Sequence, residues 1–234
     1  MEGLQVLIGG LLPYIALVAF VGGMVHRFRV WFKTPQPGKM TLFPVKAETT
    51  AKAVLAEVLL FPSLFRGDRV LWAFSWVFHV TLALVLVGHV RVFTGIADQV
   101  LLALGMSADG IDTMSSVTGG AAGIVLLATG TLLLVRRFTV PRVREISAPE
   151  DFAALLLLIA IVVTGNAMRF GSHFDLEQTR TWATSLLLFS PTVPADGAFL
   201  LHALLAQLLF IYIPFSKILH FGGIFFTQAL VRGR

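Results

Sequence analysis

The sequence predicts an all-α integral membrane protein, a five-helix bundle with its amino terminus outside and its carboxyl terminus in the cytoplasm. Composition is the first reason: of 234 residues, 56% are hydrophobic and 13% charged, and the mean hydropathy is +0.85, far from the balance of a water-soluble domain. Length is the second, because five apolar runs approach the ~20 residues that a helix needs to cross the hydrocarbon layer. The third is the alternation of basic and acidic connections between those runs. There are no cysteines, which excludes disulfides, thiolate-held metal clusters and thioether attachment of a prosthetic group.

Residues 4–25 form the first run, which stops at His26-Arg27-Phe28-Arg29. Its acidic start at Glu2 and its long core mark a span rather than a cleaved leader. Residues 47–60 set Ala53, Val54, Ala56 and Val58 against Lys52 and Glu57, the pattern of an interfacial helix or of a loop helix packed on a partner subunit. Spans two to five are expected over residues 70–93, 117–135, 152–170 and 197–226. The apolar piece from Trp182 to Phe189 lies between Arg180 and Pro191; it is too short to cross and is expected at the membrane surface. No internal repeat divides the chain, so residues 1–234 read as one membrane domain.

Alternating the connections places Arg27, Arg29, Lys33, Lys39, Lys46, Lys52, Arg66, Arg69, Arg136, Arg137, Arg142, Arg144, Lys217, Arg232 and Arg234 on one side, fifteen of the eighteen basic residues. The other side keeps Arg91, Arg169 and Arg180 among Glu2, Asp98, Asp109, Asp112, Asp175, Glu177 and Asp196. The positive-inside rule makes the crowded side cytoplasmic and the protein a multi-pass component of the cytoplasmic membrane. The pI near 10.1 then reflects topology and contact with the anionic lipid bilayer, and no nucleic-acid partner is expected.

Four histidines fall inside two spans: His79 and His89 on span two, His202 and His220 on span five. An ionisable side chain within a span is costly and calls for a partner. Because the two spans run antiparallel, depth pairs His79 with His220 near the inner face and His89 with His202 near the outer face. Rotation agrees. Eighteen residues complete five helical turns, so His202 and His220 share a face of a continuous helix, and ten residues leave His79 and His89 roughly 80° apart. The rises, about 15 Å and about 27 Å, do not match, and a kink at Pro214 is expected to absorb the difference.

Neutral imidazoles on both faces of a haem iron leave no open position for a substrate, so such a centre carries electrons. Two non-covalent b haems, held by His79/His220 and His89/His202, are the expected cofactors. A lone intramembrane histidine is more often a proton relay or packing residue; two depth-matched pairs reverse that. The rival from another class is a histidine-based proton channel or transporter, which would normally bring discontinuous helices, repeated halves or acidic relay residues. A membrane anchor without haem is a third reading. His26, among arginines, and His173, in a polar loop, are expected to be surface residues.

The segments His79-Val80-Thr81 through Gly88-His89-Val90-Arg91, then His202, then Ile213-Pro214-Phe215-Ser216-Lys217-Ile218-Leu219-His220, resemble the cytochrome b family typified by the gamma subunit of respiratory nitrate reductase. The ending His220-Phe221-Gly222-Gly223-Ile224-Phe225-Phe226 is similar to the cytochrome b subunit of the dissimilatory sulfite-reductase-associated membrane complex. The resemblance implies five spans, an outside amino end and haem ligands on spans two and five. It also implies exchange with a quinone, menaquinone by preference, at the outer haem, and with a cytoplasmic iron–sulfur subunit at the inner one. That subunit would be heterodisulfide-reductase-like in the sulfite branch or nitrate reductase beta-like in the nitrate branch, alongside other membrane and outer-side cytochrome subunits. One feature departs from the nitrate enzyme, whose quinol site is associated with a lysine after span two: no lysine occurs here between Lys52 and Lys217.

Further candidates surround the histidines. Gly88 lacks a Cβ and would let a planar cofactor approach. Arg91 is placed to contact a quinone carbonyl or a haem propionate, or to snorkel at a helix end. Arg66, Arg69 and Lys217 are candidates for the inner propionates, although residues of the positive-inside pattern look the same. Gly119, Gly120 and Gly123 on span three suit close helix packing better than cofactor approach.

Overall fold

The computed structural model describes residues 2–34, 50–171 and 175–231. Among them the secondary structure is entirely helical, and five helices are long and apolar enough to cross a membrane. These are α1 (Glu2–Lys33), α4 (Arg69–Phe93), α6 (Ala108–Thr139), α8 (Pro149–Phe170) and the helix α10 (Gly197–Tyr212) with its continuation to Phe215. Shorter helices connect them: α2 (Thr50–Leu60), α3 (Pro62–Gly67), α5 (Ile96–Ala103), α7 (Pro141–Ile146) and α9 (Leu176–Leu187), with α11 (His220–Val231) at the end. Lys39, Lys46, residues 47–49, His173, Arg232 and Arg234 lie outside the described residues.

In the bundle α4 packs on α6, α6 on α8, α8 on α10 and α10 on α1. Glycine makes the α6–α8 seam close. A Cβ at Gly123 would run into the side chain of Asn166, whose Nδ2 donates to the Gly123 carbonyl at 3.1 Å. Gly119 lies against Arg169 and Gly120 against Phe170. Packing is therefore what these small residues serve.

Span five departs from expectation. A continuous helix over 197–226 was the premise of the five-turn argument, but α10 ends at Tyr212 and two 3₁₀ turns, Ile213–Phe215 and Lys217–Leu219, precede α11. Pro214 lacks the N–H that would continue the ladder, and Ser216 is extended, with φ −119° and ψ 171°. His202 and His220 therefore stand on different helical segments, and the 27 Å rise of an unbroken helix does not apply.

Helix α1 is interrupted by a π turn at Leu7–Leu11. Pro13 cannot donate to the carbonyl four residues back, and that carbonyl, Gly9 O, instead accepts Trp182 Nε1–H at 2.7 Å. Ile8 O accepts from Gln207 Nε2 at 3.0 Å. The piece containing Trp182 is thus no mere surface element: α9 buries Trp182 and Ala183 with Met168 and Phe199 against the bundle, leaving Leu187, Leu188 and Phe189 exposed.

Candidate functional site

Two polar networks mark the ends of the bundle. At the basic end Arg136 meets Asp68 at 3.0 Å, Lys217 meets Asp151 at 2.8 Å, and Arg27 Nε donates to Pro214 O at 2.9 Å. Asp68 also caps α4 by accepting from Leu71 N at 2.9 Å, and this bond, ahead of the Arg136 contact, holds its carboxyl below the usual range.

At the acidic end Asp98 bridges Arg91 and Arg180, each at 2.6 Å, and Arg91 also pairs with Asp112. Burial works against the charge on Asp98, but the hydrogen bonds from Arg91 and Arg180 outweigh it and keep its pKa depressed. A carboxyl depressed in the fold stabilises it above the unfolded pKa, about 3.9, and that contribution is lost as pH falls through the lower folded value. Thermal unfolding in detergent should therefore show wild type losing stability below about pH 4, with part of that slope absent in Asp98→Asn. An unchanged slope would remove Asp98 from the acid response.

Between these ends the structure brings the four histidines together in two pairs. His79 on α4 stands beside His220 at the start of α11, with ring centroids 5.9 Å apart and planes at 85°. His89 stands beside His202 on α10, with centroids 6.2 Å apart and planes at 19°. Two imidazole nitrogens, each about 2 Å from a shared metal, put the ring centroids roughly 6 Å apart. Both pairs meet that spacing.

The hydrogen bonds of the rings assign their protons. Nδ1 of His79 lies 2.7 Å from Ser75 O, Nδ1 of His89 2.7 Å from Val85 O, and Nδ1 of His220 3.0 Å from Lys217 O. A carbonyl only accepts, so each Nδ1 carries the proton and each neutral ring keeps its Nε2 lone pair for a metal. His202 Nδ1 faces the Thr164 hydroxyl at 3.0 Å. The donor set thus fits iron held between imidazoles.

The other candidates are placed as follows. A Cβ at Gly88 would meet no atom within 4 Å. Arg91, in the last turn of α4, pairs with Asp98 and Asp112. The Lys217 ammonium goes to Asp151, and the Arg69 guanidinium lies 5.3 Å from the centroid of the Phe65 ring. His26 is exposed on α1. Sequence reading missed Phe61, which sits at φ +50° between α2 and α3 and presents its ring edge-on to His79 at 5.1 Å. A bulky residue in the left-handed region is a costly conformation that the surroundings must enforce. It also missed Thr164, although a Thr-Gly-Asn run in the apolar α8 is a readable signal.

A multi-pass, all-helical membrane protein with paired imidazoles at two levels is the class that fold and site define. The chain belongs to the nitrate reductase gamma subunit family, whose model matches residues 62–230. It is 31% identical to the Hdr-like menaquinol oxidoreductase cytochrome b-like subunit of Archaeoglobus fulgidus, over 95% of this chain and 78% of that one. Identity to the subunit of the same name from Archaeoglobus profundus is 29%, over 92% and 76% of the two chains. The nitrate reductase gamma chain of Bacillus subtilis is 28% identical over 90% and 88%. The protein is accordingly a membrane cytochrome b-like subunit of this family, which implies haem.

Proposed function

We propose that the protein is a di-haem b subunit that carries electrons between a quinone pool and a cytoplasmic iron–sulfur subunit. The observation that carries this reading is the pair of imidazole sites, each with centroids about 6 Å apart and with Nε2 left unprotonated on His79, His89 and His220. Haem at each site would supply one-electron iron chemistry. The chain's own part would be to hold the two centres: His79 and His220 one, His89 and His202 the other, with His79, His89 and His202 on helices apolar enough to cross a membrane. The positive-inside rule assigns the basic end, with His79/His220, to the cytoplasm and the acidic end to the outside.

Menaquinone is the proposed quinone, supported by the menaquinol oxidoreductase names of the two Archaeoglobus relatives. The Hdr-like part of the same names supports a heterodisulfide-reductase-like partner; that this is an iron–sulfur subunit of a sulfite-reduction-associated complex with other membrane and outer-side cytochrome subunits is our proposal from the chain's ending, His220 to Phe226. The second reading, a nitrate reductase beta-like partner, draws on the family model and the Bacillus relative. Arg91, Gly88, Arg69 and Lys217 stay as proposed neighbours of quinone or propionate, Arg91 and Lys217 through their ion-pair networks.

The test is reduction of the purified protein in lipid vesicles by a soluble menaquinol analogue. The expected result is a b-type reduced spectrum comparable in size to that given by dithionite. A dithionite-reducible haem that no quinol reduces would contradict the quinone assignment, and copurification of a molybdoenzyme iron–sulfur subunit would move the protein to the nitrate branch.

A further inference from the structure

Three of the four paired histidines are oriented by the backbone of their own chain segment, through carbonyls three or four residues back. His202 takes its partners from the neighbouring helix α8, where the Ile161 carbonyl hydrogen-bonds it and a side chain joins. His202 Nδ1 lies 3.0 Å from Oγ1 of Thr164. Thr164 Oγ1 also lies 3.0 Å from Ala160 O and 2.9 Å from Ile161 O. A hydroxyl has one proton, and carbonyls only accept, so that proton is committed to the α8 backbone. With that proton on the α8 backbone the oxygen facing His202 is an acceptor, as is the Ile161 carbonyl that also hydrogen-bonds the ring, and the imidazole donates from Nδ1.

We infer that Thr164 is a positioning residue of His202, acting with the Ile161 carbonyl to hold its ring so that Nε2 is presented as a lone pair beside His89. This rests on the bis-imidazole reading of the site. The argument is one of proton inventory together with packing. Gly165 allows the approach, since a Cβ there would come within 3.2 Å of His202 Cε1. Asn166, the next residue, ties α8 to α6 through Gly123 O at 3.1 Å. The helix that orients His202 is thereby itself held in register. The planes of His89 and His202 stand 19° apart and those of His79 and His220 85° apart.

Those plane angles supply a selective readout. Near-parallel axial imidazoles give a low-spin ferric haem a rhombic electron paramagnetic resonance spectrum, and near-perpendicular ones a highly anisotropic spectrum, so each site reports separately. Full-length wild type, Thr164→Val and Thr164→Ser are to be purified and compared by haem content and by these spectra. Thr164→Val keeps the shape and removes the acceptor. It should weaken haem retention at the His89/His202 site by roughly 10- to 100-fold, or broaden and shift the rhombic signal, with the anisotropic signal unchanged. Thr164→Ser keeps the hydroxyl and should restore the rhombic signal.

If Thr164→Val leaves both spectra and the haem content as in wild type, the inference is overturned while the bis-imidazole reading stands. Equal damage from the valine and serine variants, or damage at both sites, assigns Thr164 a packing role and overturns it too. A wild-type protein with no low-spin bis-imidazole signals overturns the underlying reading, and the inference with it. Should the valine variant not accumulate, Thr164→Ala takes its place with the same three outcomes.

Discussion

Replacing His220 with alanine is expected to cut haem from two per chain to one, leaving the His89/His202 centre with its own spectrum. The loss should exceed the roughly 10- to 100-fold in affinity that removing a hydrogen-bonded partner of a ligand costs, because the ligand itself is gone. The fold should tolerate the change. His220 is exposed at the first position of α11, and its ring hydrogen bond goes to Lys217 O within its own segment, so the side chain's own contribution should stay within about 0.5 kcal/mol, and any larger drop in stability reports the lost haem binding. His202→Ala is the mirror experiment and should spare the His79/His220 centre. Haem analysis and low-temperature optical spectra of the two variants read the result. Loss of the His89/His202 centre in His220→Ala, with the other retained, would contradict the pairing.

Asp151→Ala should lower stability by about 1–3 kcal/mol, seen as a lower unfolding temperature in detergent. Two contributions add. Asp151 Oδ2 accepts from Ala148 N at 3.0 Å and so closes the first turn of α8, an interaction of the kind whose loss costs about 0.5–2 kcal/mol. The same oxygen receives Lys217 Nζ at 2.8 Å and lies 3.8 Å from Arg137. Asp151 is only 9% exposed whereas the Lys217 side chain is 63% exposed, so the released ammonium can find water and the ion pair itself contributes modestly. The effect on the site is more specific. The Lys217 carbonyl receives the His220 ring N–H, and Arg27 holds the same segment through Pro214 O. Losing one of these two clamps should broaden the spectrum of the His79/His220 centre and leave the other centre unchanged. An Asp151→Ala protein with wild-type stability and both signals intact would show that the clamp is idle.

The sequence was readable where a single helix determines the answer. Span two was expected over residues 70–93 and observed as Arg69–Phe93, because its apolar run is bounded by Asp68, which caps it, and by Thr94-Gly95, where the backbone leaves the helix. Span three was expected from residue 117 and begins at Ala108. An apolar window measures membrane thickness, whereas the helix continues to its caps, here Ser107 at the start and Val140 at the end. The break in span five was half legible. Pro214 announced a disturbance, but the extended Ser216 that turns a kink into two segments lies between contacts to Arg27 and Asp151 that only the assembled bundle supplies.

Candidate site residues divide in the same way. The histidines stood out because an ionisable group in an apolar helix is rare, and depth follows from counting residues. Thr164 and Phe61 did not stand out as partners of His202 and His79, because that requires knowing that α8 neighbours α10 and that the chain turns at φ +50° beside α4. Nor did the exchange at Pro13, where the missing backbone donor is replaced by an indole from residue 182. The fate of Arg91 rested on three elements meeting at Asp98. Such contacts are properties of the assembled bundle.

The central claim, two haems held by His79/His220 and His89/His202, is tested most directly by haem per polypeptide and the ferric spectrum of the purified wild-type chain. The expected result is two non-covalent b haems per chain, with one rhombic and one highly anisotropic low-spin signal, in line with ring planes at 19° and 85°. A folded protein purified with its membrane partners that carries no haem, or a single centre with an open axial position, would contradict it.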